Sequence, residues 1–166
     1  MSDGLEHGSL AGPAAIAANE ARSMTVFCSG HPLAAIRPVL AAAGVVTARD
    51  LRRIPSGRKV RVTGLQVIVH MPPTKSRKRV IFVTLEDETG LMDVTVFPKA
   101  QVHSAEAILT SEVQTIEGRL QREGRNGLAL SIILERVVPH LTGSLSDILA
   151  QAGRKENARQ EANSRP

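Results

Sequence analysis

Between residues 57 and 138 the apolar and polar positions alternate with the period of two that marks half-buried β-strands. The clearest run is Lys59-Val60-Arg61-Val62-Thr63-Gly64-Leu65-Gln66-Val67-Ile68-Val69, with Gly64 placed where a strand bulges or bends sharply. Val80–Glu86 and Leu91–Phe97 repeat the pattern on either side of Asp87-Glu88-Thr89-Gly90, a tight turn, and so predict a hairpin. Pro98 opens a helical segment to about Leu109. Val113–Gln121 and Leu128–Val138 predict a last strand pair, joined through Glu123-Gly124-Arg125-Asn126-Gly127, whose Asn-Gly step favours a turn. Ahead of the strands the period is helical. Leu33, Ile36, Leu40 and Val45 share one face, Gly44 can end a helix, and Thr47 with Asp50 reads as a capping box for a short helix through Arg53. Leu145–Ala152, stopped by Gly153, predicts a short closing helix.

Three strands, a helix, then two strands, with a long first strand interrupted by glycine, is the order of an all-β, five-stranded OB-fold barrel (β1-β2-β3-α-β4-β5). A meander or a small sandwich fits less well, because the helix between the third and fourth strands would have no part in closing the sheet. Residues 57–141 then form the barrel, 24–56 a helical preface and 142–152 the closing helix. Residues 1–23, rich in Ala, Gly and Ser, and the polar stretch 153–166 read as flexible tails.

Composition bounds what such a barrel can do. A chain of 166 residues, 42% apolar, suits one domain with one core. It has three Phe and neither Tyr nor Trp, which leaves little for several aromatic platforms or a cation cage. The net charge of +5 makes an anionic partner plausible, and its placement says more. Residues 58–79 carry Arg58, Lys59, Arg61, Lys75, Arg77, Lys78 and Arg79 and no acid, whereas 80–141 are acidic on balance. A single Cys28 excludes an intrachain disulfide framework, and with His31 it supplies only half of a zinc spacing. No apolar run reaches the roughly 18 residues that cross a bilayer, and no basic flank marks a signal peptide, so a soluble cytoplasmic protein is expected.

Several strings resemble one family. Gly57-Arg58-Lys59-Val60-Arg61-Val62-Thr63-Gly64-Leu65, Phe82-Val83-Thr84-Leu85-Glu86-Asp87-Glu88-Thr89-Gly90, Val94-Thr95-Val96-Phe97-Pro98 and Gly118-Arg119-Leu120-Gln121-Arg122-Glu123-Gly124 are similar to the C-terminal OB-fold region of bacterial error-prone, C-family DNA polymerase III alpha subunits. His31-Pro32-Leu33-Ala34-Ala35-Ile36-Arg37-Pro38 and Gly44-Val45-Val46-Thr47-Ala48 resemble the linker before that module, so the likeness runs from about residue 24 to 152. It implies a stand-alone module that contacts single-stranded template or a replication partner. It also implies no catalysis, because the polymerase carboxylates belong to a palm region upstream for which this chain has no room. Two departures stand out: the loop His70–Arg79 is more basic than the family's, and Asp93 and Phe97 stand where the family often has Asn and Trp.

An OB barrel holds a single strand with cations on its phosphates and exposed rings on strands two and three against its bases. The candidate cations are Lys75, Arg77, Lys78 and Arg79 in the loop that His70 opens, and Lys59 and Arg61 facing outward from the first strand. Period two sets Phe82, Thr84 and Glu86 on one face against Ile81, Val83 and Leu85 on the other, so Phe82 is the first stacking candidate. The resemblance to anticodon-binding OB folds implies the same role for it. Phe97, sharing a face with Asp93 and Thr95, is the second platform. Arg119, Arg122 and Arg125 extend a cationic path or rim a surface. Glu86, Asp87 and Glu88 suit a turn better than a metal, and no nucleophile, P-loop or zinc-protease motif is present, so neither a cofactor nor an enzymatic activity is expected. The expected function is noncatalytic binding of nucleic acid, single-stranded DNA before RNA, in DNA replication, repair or translesion synthesis. The alternative is a protein adaptor that docks on a polymerase or another replication protein.

Overall fold

The computed structural model describes residues 30–73, 79–124 and 126–164. Five strands, β1 (Lys59–His70), β2 (Ile81–Asp87), β3 (Gly90–Val96), β4 (Val113–Glu123) and β5 (Ala129–Val137), close into a barrel in the order β1-β2-β3-β5-β4. All neighbours are antiparallel except β3 and β5, which run parallel past Asp93, Val94 and Thr95. Val62, Leu85, Val96, Leu120 and Ile132 are among the side chains that fill the interior, and Ile108 of α3 (Pro98–Thr110) joins them between β3 and β4.

β1 is long because it serves two neighbours. Its first half pairs with β4 from Lys59 to Leu65 and its second with β2 from Leu65 to His70. Gly64 stands at the hand-over, where a Cβ would lie 2.7 Å from the Leu85 Cβ and 3.1 Å from the Glu86 backbone nitrogen. The register slips further on, between Gln66 and Ile68. The bulge expected at Gly64 therefore falls at Val67, and the glycine is needed for close approach of the strands.

The preface precedes the barrel as a 3₁₀ turn at Pro32–Ile36, helix α1 (Arg37–Ala42) and helix α2 (Ala48–Leu51). Its capping box forms: Asp50 N donates to Thr47 Oγ1, Thr47 N donates to Asp50 Oδ2, and these Thr47 contacts hold the Asp50 carboxyl below the usual range. Leu33, Ile36, Leu40 and Val45 form a second core with Val113 of β4 and with Ile148 and Ala152 of α4 (Leu145–Asn163). That last helix corrects the expected stop at Gly153 and the flexible tail after it. One glycine costs a helix about 1 kcal/mol relative to alanine, and the surrounding Ala, Arg, Lys, Gln and Glu are good helix formers that carry it on to Asn163.

The β2–β3 turn fastens preface to barrel. Asp87 is 2% exposed. Its Oδ1 accepts from Thr89 N and Thr89 Oγ1, each at 2.7 Å, and from Gly90 N at 3.1 Å. Its Oδ2 accepts from Ala48 N, the first residue of α2, at 2.8 Å, with the Arg37 guanidinium 3.6 Å away. Arg37 also forks onto both oxygens of Glu88. Burial pushes the Glu88 carboxyl up, and the Arg37 hydrogen bonds outweigh it, leaving the group below its ordinary value.

Candidate nucleic-acid interface

Alternation along β2, β3 and β5 turns one set of side chains outward together. Phe82 lies opposite Thr95, which lies beside Ile133; Thr84 lies opposite Asp93, which lies beside Ser131. Phe82, Asp93, Thr95, Ser131 and Ile133, with Phe97 just past β3, line a groove of about 510 Å³ whose far wall includes Gln121, Glu123 and Ala129. Phe82 and Phe97 are 42% and 46% exposed, while Ile81, Val83 and Leu85 on the other face of β2 are buried. Both rings thus stand on the solvent side, the side expected of stacking platforms. The face beside the Phe82 ring carries polar groups: Thr84 Oγ1 donates to Asp93 Oδ1 at 3.0 Å, and the Thr95 and Ser131 hydroxyls meet at 2.9 Å.

The described ends of the His70–Arg79 segment flank the same face. His70 is exposed and pairs with Phe82 in register. At the other end Gln101 Nε2 donates to the Arg79 carbonyl at 2.6 Å and to the Val96 carbonyl at 2.9 Å, which holds Arg79 beside the junction where Phe97 lies. The Arg79 side chain is exposed and in no ion pair among the described residues. Lys75, Arg77, Lys78 and Arg125 lie outside the described residues.

The remaining expected cations are engaged elsewhere. Lys59 and Arg119 share Glu135, at 3.2 and 2.9 Å. The Lys59 hydrogen bond, then the Arg119 charge, hold that carboxyl below the usual range. Arg61 binds Glu117 and the Ala43 carbonyl, and Glu117 also takes Arg136 at 2.5 Å; Arg136 first, then Arg61, lower its pKa. Arg119 lies on β4 one outward step from Gln121 and beside Ile133, at the edge of the groove, but Arg61 pairs with Glu117 on the β1–β4 side. Arg122 turns its guanidinium onto the carbonyls of Arg52 (2.6 Å), Ile54 (3.0 Å), Gly127 (3.3 Å) and Leu51 (3.4 Å), tying the end of α2 to the β4–β5 turn. Arg61 is thus held by Glu117 and Arg122 by backbone carbonyls, so neither guanidinium stands free on the groove. Among the described residues the charged groups lining the groove itself are both acids, Asp93 and Glu123.

Sequence reasoning missed Ser131, Ile133 and Gln121. The signal was available, because Ile132 and Leu134 are the core members of their strand and leave Ser131 and Ile133 outward, and closure of this topology sets β5 beside β3. Among the described residues no three His, Cys, Asp or Glu side chains are grouped to hold a metal ion. No described helix is long and apolar enough to cross a membrane.

The family model for the OB-fold nucleic acid binding domain matches residues 43–139, more than half of the chain and the segment that holds all five strands and the groove. The chain belongs to this family. Within it, this OB-fold domain is 38% identical over 107 residues to an error-prone DNA polymerase of Symbiobacterium thermophilum, covering 64% of this chain and 10% of the polymerase. It is 32% identical over 136 residues to an error-prone DNA polymerase of Caulobacter vibrioides, covering 82% and 12%. The resemblance to these polymerases is thus borne out, and the chain spans about a tenth of the length of the curated relatives it matches. A solved structure of RecG bound to a three-way DNA junction overlaps 57% of this chain with a TM-score of 0.44 and 20% identity.

Proposed function

We propose that this OB-fold domain is a noncatalytic module that binds single-stranded DNA in the cytoplasm, in the service of replication, repair or translesion synthesis. The observation that carries the proposal is the pair of exposed rings, Phe82 and Phe97, on a groove whose floor offers hydrogen-bonding groups and no cation among the described residues. Bases fit such a floor, and phosphates do not. The backbone is left to the rim, where Arg79 is held, with Lys75, Arg77 and Lys78 just ahead of it in the sequence. Similarity to error-prone polymerases supports the replication link, and the match to the OB-fold nucleic acid binding domain over residues 43–139 supports a binding role.

Titration of a fluorescent single-stranded DNA at two salt concentrations tests the proposal, with Phe82→Ala and a variant neutralised at Lys75, Arg77, Lys78 and Arg79 alongside. Affinity should fall steeply with salt and weaken in the charge variant. Phe82→Ala should cost about 1–3 kcal/mol of binding. Binding no tighter than millimolar at low salt would overturn the proposal and favour a protein-docking adaptor.

A further inference from the structure

A carboxylate is an unexpected group at the centre of a surface that holds a polyanion. Asp93 is exposed on β3, and its Oδ1 accepts from the Thr84 hydroxyl at 3.0 Å, which fixes the side chain and leaves Oδ2 directed to no partner among the described residues. Phe82 precedes Thr84 on β2 by one outward step, roughly 7 Å along a strand. A base stacked on the Phe82 ring therefore comes within reach of Asp93. Glu123 adds a second acceptor on the opposite wall of the groove.

We infer that Asp93 reads the base held on Phe82 and selects bases that present an exocyclic amino group, such as cytosine, over uracil and thymine. The inference rests on the single-strand reading above. A carboxylate accepts hydrogen bonds and cannot donate them, so it pairs with the cytosine N4 amino group. In the same pose uracil presents its O4 lone pairs, and the two acceptors repel. The hydroxyls of Thr84, Thr95 and Ser131 donate as well as accept and serve either base, so discrimination falls to the carboxylate. A site built to accept from an amino group rejects the analogue lacking it because its own polar group is left unpaired. Asp93 is then a specificity-determining residue and Thr84 its positioning residue.

The test compares oligodeoxycytidylate with oligodeoxyuridylate of equal length, about twelve nucleotides, which differ only at the C4 and N3 edge. The unmodified domain should prefer cytidylate by at least about fivefold at neutral pH. Asp93→Asn, whose amide both donates and accepts, should bring the ratio close to one while holding or raising both affinities, since a like charge is removed from the face. Thr84→Val should narrow the ratio without changing the far-UV circular dichroism. Equal affinities in the unmodified domain, or a preference that survives Asp93→Asn, would overturn the inference and leave the single-strand reading standing. Failure of both oligomers to bind at low salt would overturn both.

Discussion

Replacing Asp87 by alanine removes the acceptor for four donors at once, Ala48 N, Thr89 N, Thr89 Oγ1 and Gly90 N, and takes the nearby carboxylate from Arg37. Hydrogen bonds to a charged group contribute about 1.5–3 kcal/mol each, but donors that share one acceptor do not add. Losing one partner of a buried charged cluster costs about 3–5 kcal/mol, which sets the expected loss for Asp87→Ala. Small domains have about 5–15 kcal/mol of stability in total, so the effect is a large fraction. Asp87→Asn keeps an oxygen for the turn donors but gives up the second acceptor facing Ala48, and should lose about 1–3 kcal/mol. The chain has no Trp or Tyr, so urea unfolding is best followed by far-UV circular dichroism. A loss under about 1 kcal/mol for Asp87→Ala would refute the idea that this carboxylate clasps the preface to the barrel.

Glu88 titrates below its ordinary value of 4.5 in the folded state, so its ionised form contributes stability that is present above pH 4.5 and lost as the pH falls below it. The stability advantage over Glu88→Gln should shrink across that acid limb, and a constant gap from pH 7 to 3 would contradict the Arg37 pairing. A Cβ at Gly118 would overlap the Ile133 carbonyl oxygen and come within 2.8 Å of Ile132 Cγ2, so Gly118→Ala should cost about 2 kcal/mol or more in urea unfolding. An unchanged midpoint would mean that the β4–β5 contact relaxes freely. Arg122→Ala should lose about 1–2 kcal/mol by thermal unfolding while single-strand affinity holds. A large loss of affinity in a folded Arg122→Ala domain would return that side chain to the binding face.

The barrel was legible because its information is local. Alternation names the strands, Pro98 and Thr47-Asp50 mark helix starts, and the strand-helix-strand order leaves one natural closure. The outward setting of Phe82 and Phe97 followed from period two alone. What the sequence concealed depends on partners distant along the chain. Arg61 and Arg119 looked free because Glu117 and Glu135 meet them only across strand pairings, and Arg122 reaches carbonyls about seventy residues earlier. The run Asp87-Glu88-Thr89-Gly90 read as a turn, and its second task, capping α2 through Asp87, required the fold. Gly64 illustrates the limit: its place was marked, but close packing against Leu85 and a bulge at Val67 could not be told apart from one strand's pattern.

The most direct test of the account is a map of backbone amide shifts by heteronuclear NMR as unlabelled single-stranded DNA is added to the labelled domain. The account predicts changes concentrated at Arg79, Phe82, Thr84, Asp93, Thr95 and Ser131, with Arg61, Glu117 and Arg136 unmoved. Changes confined to the Arg61–Glu117 side or to α4, with the groove silent, would contradict it.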